Sequence, residues 1–154
     1  MKLPRKARKT IAIMGGKGGA GKSTIAGLLA ACLQREHNVV GLLDGDLIGP
    51  ALLHLFGLEK QLAFNEQDQV EPLLSRLGIK CMAFDIFQER ESEPLVWRGP
   101  MVSSAFKQLY NDTSWGDLDY LIVDVPTGTS DVPITVLHSM ASSLSHRHNN
   151  WYKQ

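Results

Sequence analysis

The sequence predicts an α/β fold: a mainly parallel sheet with helices on both faces, entered through a phosphate-binding loop. Two observations predict it. Gly15-Gly16-Lys17-Gly18-Gly19-Ala20-Gly21-Lys22-Ser23-Thr24 reads G-x-x-x-x-G-K-S from Gly16. Around it, short apolar runs alternate with helical patterns, the order that builds strand–helix–strand units. The glycines let the backbone curl and turn its N–H groups inward as an anion nest at a helix N-terminus. Lys22 can reach β- and γ-phosphates, and the Ser23 hydroxyl is placed to ligate Mg²⁺. A flexible glycine linker is the bland alternative, and the flanking elements argue against it.

Those elements justify themselves in order. Residues 1–9 hold Lys2, Arg5, Lys6, Arg8 and Lys9 and no acid, and read as a solvated basic leader or the remnant of an organellar targeting segment. The domain is expected over residues 10–140. Thr10 to Met14 reads as a buried strand. Ile25, Leu28, Leu29, Cys32 and Leu33 follow at helical spacing, an apolar face that should turn inward. Asn38 can stop that helix, and Val39 to Leu43 makes the next buried strand. Asp44-Gly45-Asp46 then falls at the carboxyl end of the strand, where open α/β sheets handle ligands. The pair is either a turn with Asp as a local cap or a carboxylate set for Mg²⁺ and the attacking water. Beside a phosphate-binding loop the second reading is favoured.

Ile48 to Leu58 is expected as a loop into a short helix, with Pro50 before it and Gly57 after it. Residues 59–77 are polar and mixed, a loop with a weak strand or turn. Ile79 to Phe84 is another strand. Pro100 to Leu109 should be a helix with Val102, Phe106 and Leu109 inward. Leu118 to Val123 is the strongest remaining strand, and it ends in Asp124, an apolar strand closing on a Mg²⁺-handling carboxylate, the Walker B pattern. Gly128 offers a backbone N–H to a γ-phosphate. Pro133 to Met140 looks like the start of a helix, and 141–154 reads as a disordered tail. An H-x-H there, His146 and His148, carries no site.

Composition narrows the class. Formal net charge is zero over 154 residues, so no global field favours nucleic acid or a membrane surface, and neither is expected as a partner. Two cysteines, Cys32 and Cys81, make no disulfide framework and suggest a reducing compartment. Both are expected in the core. No run approaches the roughly 20 apolar residues of a membrane span.

Several stretches together resemble one family. Lys17 ahead of Gly18-Gly19-Ala20-Gly21-Lys22-Ser23 is the "deviant" Walker A, with an extra early lysine. Gly41-Leu42-Leu43-Asp44-Gly45-Asp46 with Gly49-Pro50 is similar to a switch I region. Trp97-Arg98-Gly99-Pro100-Met101, Trp115-Gly116-Asp117-Leu118-Asp119-Tyr120 and Asp124-Val125-Pro126-Thr127-Gly128 complete the likeness. The chain resembles the Mrp/ApbC/NBP-type P-loop ATPases, iron–sulfur cluster carriers related to the Min and Par partition ATPases, over about residues 10–140.

The resemblance implies an ATP-binding, ATP-hydrolysing cluster carrier that works as a homodimer with apo iron–sulfur proteins as recipients. A truncated non-catalytic nucleotide-binding remnant and a partition ATPase are the alternatives. It implies that Lys17 crosses to the partner's phosphates and that Gly16, Gly18, Gly19, Ala20, Gly21 and Thr24 line the nucleotide with Lys22 and Gly128. Asp46 would position the attacking water, and Ser23, Asp44 and Asp124 would support Mg²⁺. It also implies a cytoplasmic setting, with the mitochondrial matrix as alternative. The family departs at Ala20, where it has valine, and at Thr127, where it has a second proline. It continues well past this chain, with further strands and the C-x-x-C that carries the cluster, and this sequence contains no C-x-x-C. The resemblance therefore implies a fold lacking its C-terminal strands.

Overall fold

The computed structural model describes residues 7–46, 51–87 and 99–126, together with Ile134 and His138. The elements are β1 (Ala7–Ile13), α1 (Lys22–Arg35), β2 (Val40–Asp44), α2 (Leu52–Leu55), β3 (Leu73–Leu74), β4 (Lys80–Ala83), a 3-10 turn (Phe84–Phe87), α3 (Gly99–Asp112) and β5 (Leu118–Asp124). The strands form one sheet in the order β1-β5-β2-β4-β3. The β1, β5, β2 and β4 pairings are parallel, and the two-residue β3 runs antiparallel to β4. The expected fold class is thus observed, with β3 as the weak strand foreseen between residues 59 and 77.

Burial follows strand position. All five residues of β2 are buried, as the central strand of a covered parallel sheet requires. Val40, Leu42 and Leu43 join Cys81 and Met82 of β4 and Leu121, Ile122 and Val123 of β5 in the core. From α3, Phe106 and Leu109 are buried there as the sequence predicts, while the side chain of Val102 falls outside the described residues. Trp115 is 1% exposed and sits beside Gly41, where a Cβ would come within 3.1 Å of its ring and 2.5 Å of Leu118. Its indole N–H donates to the Tyr110 carbonyl, and its own carbonyl accepts from Lys80 Nζ at 2.7 Å.

Helix α1 overturns one expectation. Its buried residues are Lys22, Ala26, Gly27 and Ala30, while Ile25 and Leu28 are 54% and 62% exposed and Cys32 is exposed. Leu29 and Leu33 are only partly buried. Small residues win the inner face because the helix lies close: a Cβ on Gly27 would meet Leu55 of α2 at 2.5 Å. Ile25 and Leu28 are turned outward, while Leu29 and Leu33 pack partly against the core. Cys32 is therefore not a core residue, and Cys81 is.

Strand β1 begins at Ala7, inside the stretch expected as a basic leader. Arg8 lies 3.5 Å from Asp119 and Lys9 stands over the Tyr120 ring, so both cations dock on β5. Asp119 also accepts the Val39 N–H, which ties β5 to the start of β2. Among the described residues β1 has a strand neighbour on one side only, and Thr10 to Ile13 are just partly buried. The segments 1–6, 47–50, 88–98 and 127–133 lie outside the described residues, as does most of the sequence beyond. The helix expected from Pro133 and the tail expected from residue 141 are among these.

An unpaired edge with apolar side chains invites pairing with another chain. The isolated 154-residue chain is expected to self-associate at micromolar concentration in sedimentation velocity, and alternate β1 amides should exchange fast. A stable monomer with every amide of residues 10–13 protected would show that this edge is covered.

Candidate nucleotide-binding site

The register of the sheet assembles the site. Ile13 pairs with Asp124, Asp124 with Asp44, and Asp44 with Ala83, so the C-terminal ends of β1, β5, β2 and β4 lie in one row. The loop after β1 and both carboxylates therefore share the rim where α/β sheets bind ligands.

The loop has the shape its glycines allow. Gly19 and Gly21 have φ of 72° and 79°, the left-handed region that a Cβ disfavours. Gly21 is the N-cap of α1, and its carbonyl accepts the Ile25 N–H at 2.9 Å. Gly15 has a role that the sequence reading missed: a Cβ there would lie 2.8 Å from Lys22 Cδ. The lysine stem folds back over Gly15, and Lys22 is only 9% exposed. Gly16, Lys17, Gly18, Ala20 and Thr24 are exposed on the loop and the first turn of α1.

At the base of the loop, the Ser23 hydroxyl donates to Asp124 Oδ2. Asp124 is 1% exposed, and its buried Oδ1 has no hydrogen-bond partner among the described residues. Burial raises its carboxyl above the usual range, opposed by the Ser23 bond and by the Lys22 charge. A buried carboxylate oxygen without a donor costs free energy unless a ligand completes it. A hydrated divalent cation beside a serine hydroxyl is the fitting complement.

Asp44 is arranged differently. It is fully buried, its Oδ1 accepts the Asp46 N–H at 3.0 Å, and its Oδ2 accepts those of Ala51 and Leu52 at 2.8 and 3.0 Å. Burial outweighs these three bonds and pushes its carboxyl up to about 6, with Asp124 adding to the rise. Between the acids, the Gly45 N–H donates to the Asp124 carbonyl at 2.9 Å. Asp46 is half-buried, and its amide is held by Asp44. Gly128 lies outside the described residues. Cys81 is buried, which pushes its thiol up to about 12. Among the described residues no three His, Cys, Asp or Glu side chains cluster as a metal-holding group, and no helix is long and apolar enough to cross a membrane.

A parallel sheet with a glycine loop leading into α1, a buried lysine and a serine–aspartate pair defines a P-loop nucleotide-binding fold. The family described as "ParA: NUBPL iron-transfer P-loop NTPase" matches residues 6–146, and the chain belongs to it. An iron-sulfur cluster carrier protein of Clostridium perfringens is 40% identical over 139 residues, covering 86% of this chain and 49% of its own. A Drosophila grimshawi protein named "Cytosolic Fe-S cluster assembly factor Nubp2 homolog" is 39% identical, with 88% and 52% covered. Among solved structures, a nucleotide-binding protein from Archaeoglobus fulgidus in complex with ADP superposes with a TM-score of 0.75 at 39% identity, over 87% of this chain and 51% of that one. The MinC:MinD complex of Aquifex aeolicus shares the fold alone, with a TM-score of 0.55 at 20% identity. The chain spans about half the length of the relatives it matches.

Gly45 offers a direct check of the rim. A Cβ there would stand 2.8 Å from the Asp124 carbonyl oxygen, which is backbone and cannot step aside. Gly45→Ala is expected to lower unfolding free energy by about 1–3 kcal/mol in a urea titration. Parental stability would mean that the two strand ends are not held this closely.

Proposed function

We propose that the chain is the nucleotide-binding part of an ATP-hydrolysing iron–sulfur cluster carrier. The observation that carries this reading is the Ser23–Asp124 pair with its orphaned buried oxygen, set beneath a phosphate-binding loop whose lysine is already folded inward. Membership of an iron-transfer NTPase family and the names of the relatives support the cargo.

In this reading the backbone N–H groups of residues 16–21 cradle the phosphates, and Lys22 neutralises the β- and γ-oxygens. Thr24 lies near the α-phosphate. Ser23 and Asp124 would hold the hydration shell of a Mg²⁺ ion, which would supply neutralising charge to the bound phosphates. Asp46 positions the water that attacks the γ-phosphorus as the bond to the ADP oxygen breaks. Lys17 is exposed on the loop, free of this site's interior, and in a homodimer it reaches the partner's phosphates. Gly128 contributes a γ-phosphate contact. The recipients are apo iron–sulfur proteins, and the compartment is the cytoplasm, in keeping with the cytosolic relative. The cluster is cargo, and Cys32 and Cys81 are poor hosts for it: one stands on an outer helix face and the other is buried with a raised pKa.

Three measurements test the reading. In calorimetry with Mg·ADP, Lys22→Ala should weaken binding by at least tenfold, roughly the 1.4 kcal/mol or more that a charge-assisted contact contributes; equal affinity would sink the proposal. Asp46→Ala should keep nucleotide binding and lose most turnover, since water positioning acts in the transition state. Reconstitution of this chain with iron and sulfide should give no stable cluster absorbance. A cluster lost on Cys81→Ser would overturn that part.

A further inference from the structure

The carboxylates at the ends of β2 and β5 look alike in sequence, both closing an apolar strand, yet the structure gives them opposite surroundings. Asp124 has one oxygen on the Ser23 hydroxyl and one with no partner among the described residues. Asp44 has each oxygen filled by backbone N–H donors, one from Asp46 and two from Ala51 and Leu52, in a fully buried position. A cation or its water would have to compete with those bonds, and releasing the Leu52 N–H would leave a buried donor unsatisfied. We infer that Asp44 is a positioning residue and not a metal ligand: it holds the Asp46, Ala51 and Leu52 amides at the end of β2, and so sets where Asp46 stands relative to Asp124. The inference rests on the proposed hydrolysis for its kinetic consequence and on geometry alone for the tether.

Three features converge on this role. The Asp46 amide is bound directly by Asp44. The Gly45 N–H to the Asp124 carbonyl fixes the intervening residue against β5. The Ala51 and Leu52 amides, which open α2, are held by the same carboxylate, and Leu52 and Leu53 anchor in the core. A carboxylate is suited to this because it accepts on both oxygens. An amide of the same shape accepts on one and would turn an NH₂ toward at least one donor.

Asp44→Asn tests the point. Residue-resolved amide exchange on the ADP-bound chain should show Asp46, Ala51 and Leu52 slow in the parent and about tenfold or more faster in the variant, the loss of one charge-assisted bond each. Mn²⁺ affinity in the presence of ADP, read by electron paramagnetic resonance, should stay within about threefold, and kcat for ATP should fall about tenfold or more with KM little changed. A drop in Mn²⁺ affinity of about tenfold or more would make Asp44 a metal ligand and overturn the inference. Unchanged exchange at those amides, or faster exchange with an unaltered kcat, would overturn it too. Should the variant fail to fold, the parent decides: fast exchange at Ala51 and Leu52, or loss of their protection on adding Mg²⁺, refutes the tether. A parent without ATP turnover removes the hydrolysis reading and leaves the exchange and Mn²⁺ results to judge Asp44.

Discussion

Asp124 is the point through which the rest of the structure is connected. Its backbone pairs with Ile13 on one side and with Asp44 on the other. Its carbonyl receives the Gly45 N–H, and its carboxylate receives the Ser23 hydroxyl from the first turn of α1. One residue thereby joins the strand before the loop, the helix after it and the strand bearing Asp46. Its burial makes these contacts strong, because a carboxylate in low dielectric has no water to turn to.

The fold was legible because its signals are local. A run of β-branched and aliphatic residues closing on Asp124, and a glycine loop between a strand and a helix, specify elements that packing leaves unchanged. Helix α1 was readable in position and not in face. The spacing of Ile25, Leu28 and Cys32 is that of an amphipathic helix, yet Ala26, Gly27 and Ala30 follow the same period one or two residues on. Which stripe faces inward depends on how near the sheet and α2 lie, and Leu55 against Gly27 decides it. That distance is a property of three elements together, so no window along the chain contains it.

The site was legible in outline for a similar reason. Lys22, Ser23 and Asp124 stand where their motifs place them. The different surroundings of Asp44 and Asp124 were hidden, because they depend on donors at Ala51 and Leu52 that arrive from beyond the motif. Gly15 and Gly45 were also hidden as site residues: each is small because of a neighbour, the Lys22 stem or the Asp124 carbonyl, and sequence shows only the smallness. The tryptophan of the W-G-D-L-D-Y stretch turned out to be architectural. Trp115 fills the space above Gly41, while Asp119 clamps Arg8 and the Val39 amide, so part of a narrow signature records packing and not chemistry.

The position of β1 at the margin of the sheet has a thermodynamic consequence. The phosphate-binding loop leaves from the less buried of the two seven-residue strands, which among the described residues has one strand neighbour. Any ligand that fastens the loop to Asp124 and α1 holds that margin closed. By mass action a ligand at a hundred times its Kd adds about 2.7 kcal/mol to the native state, a large share of what a marginally stable domain possesses. Occupancy of the loop would then set how large a fraction of the chain is folded, and the nucleotide supply would act on that fraction by mass action on the closed form.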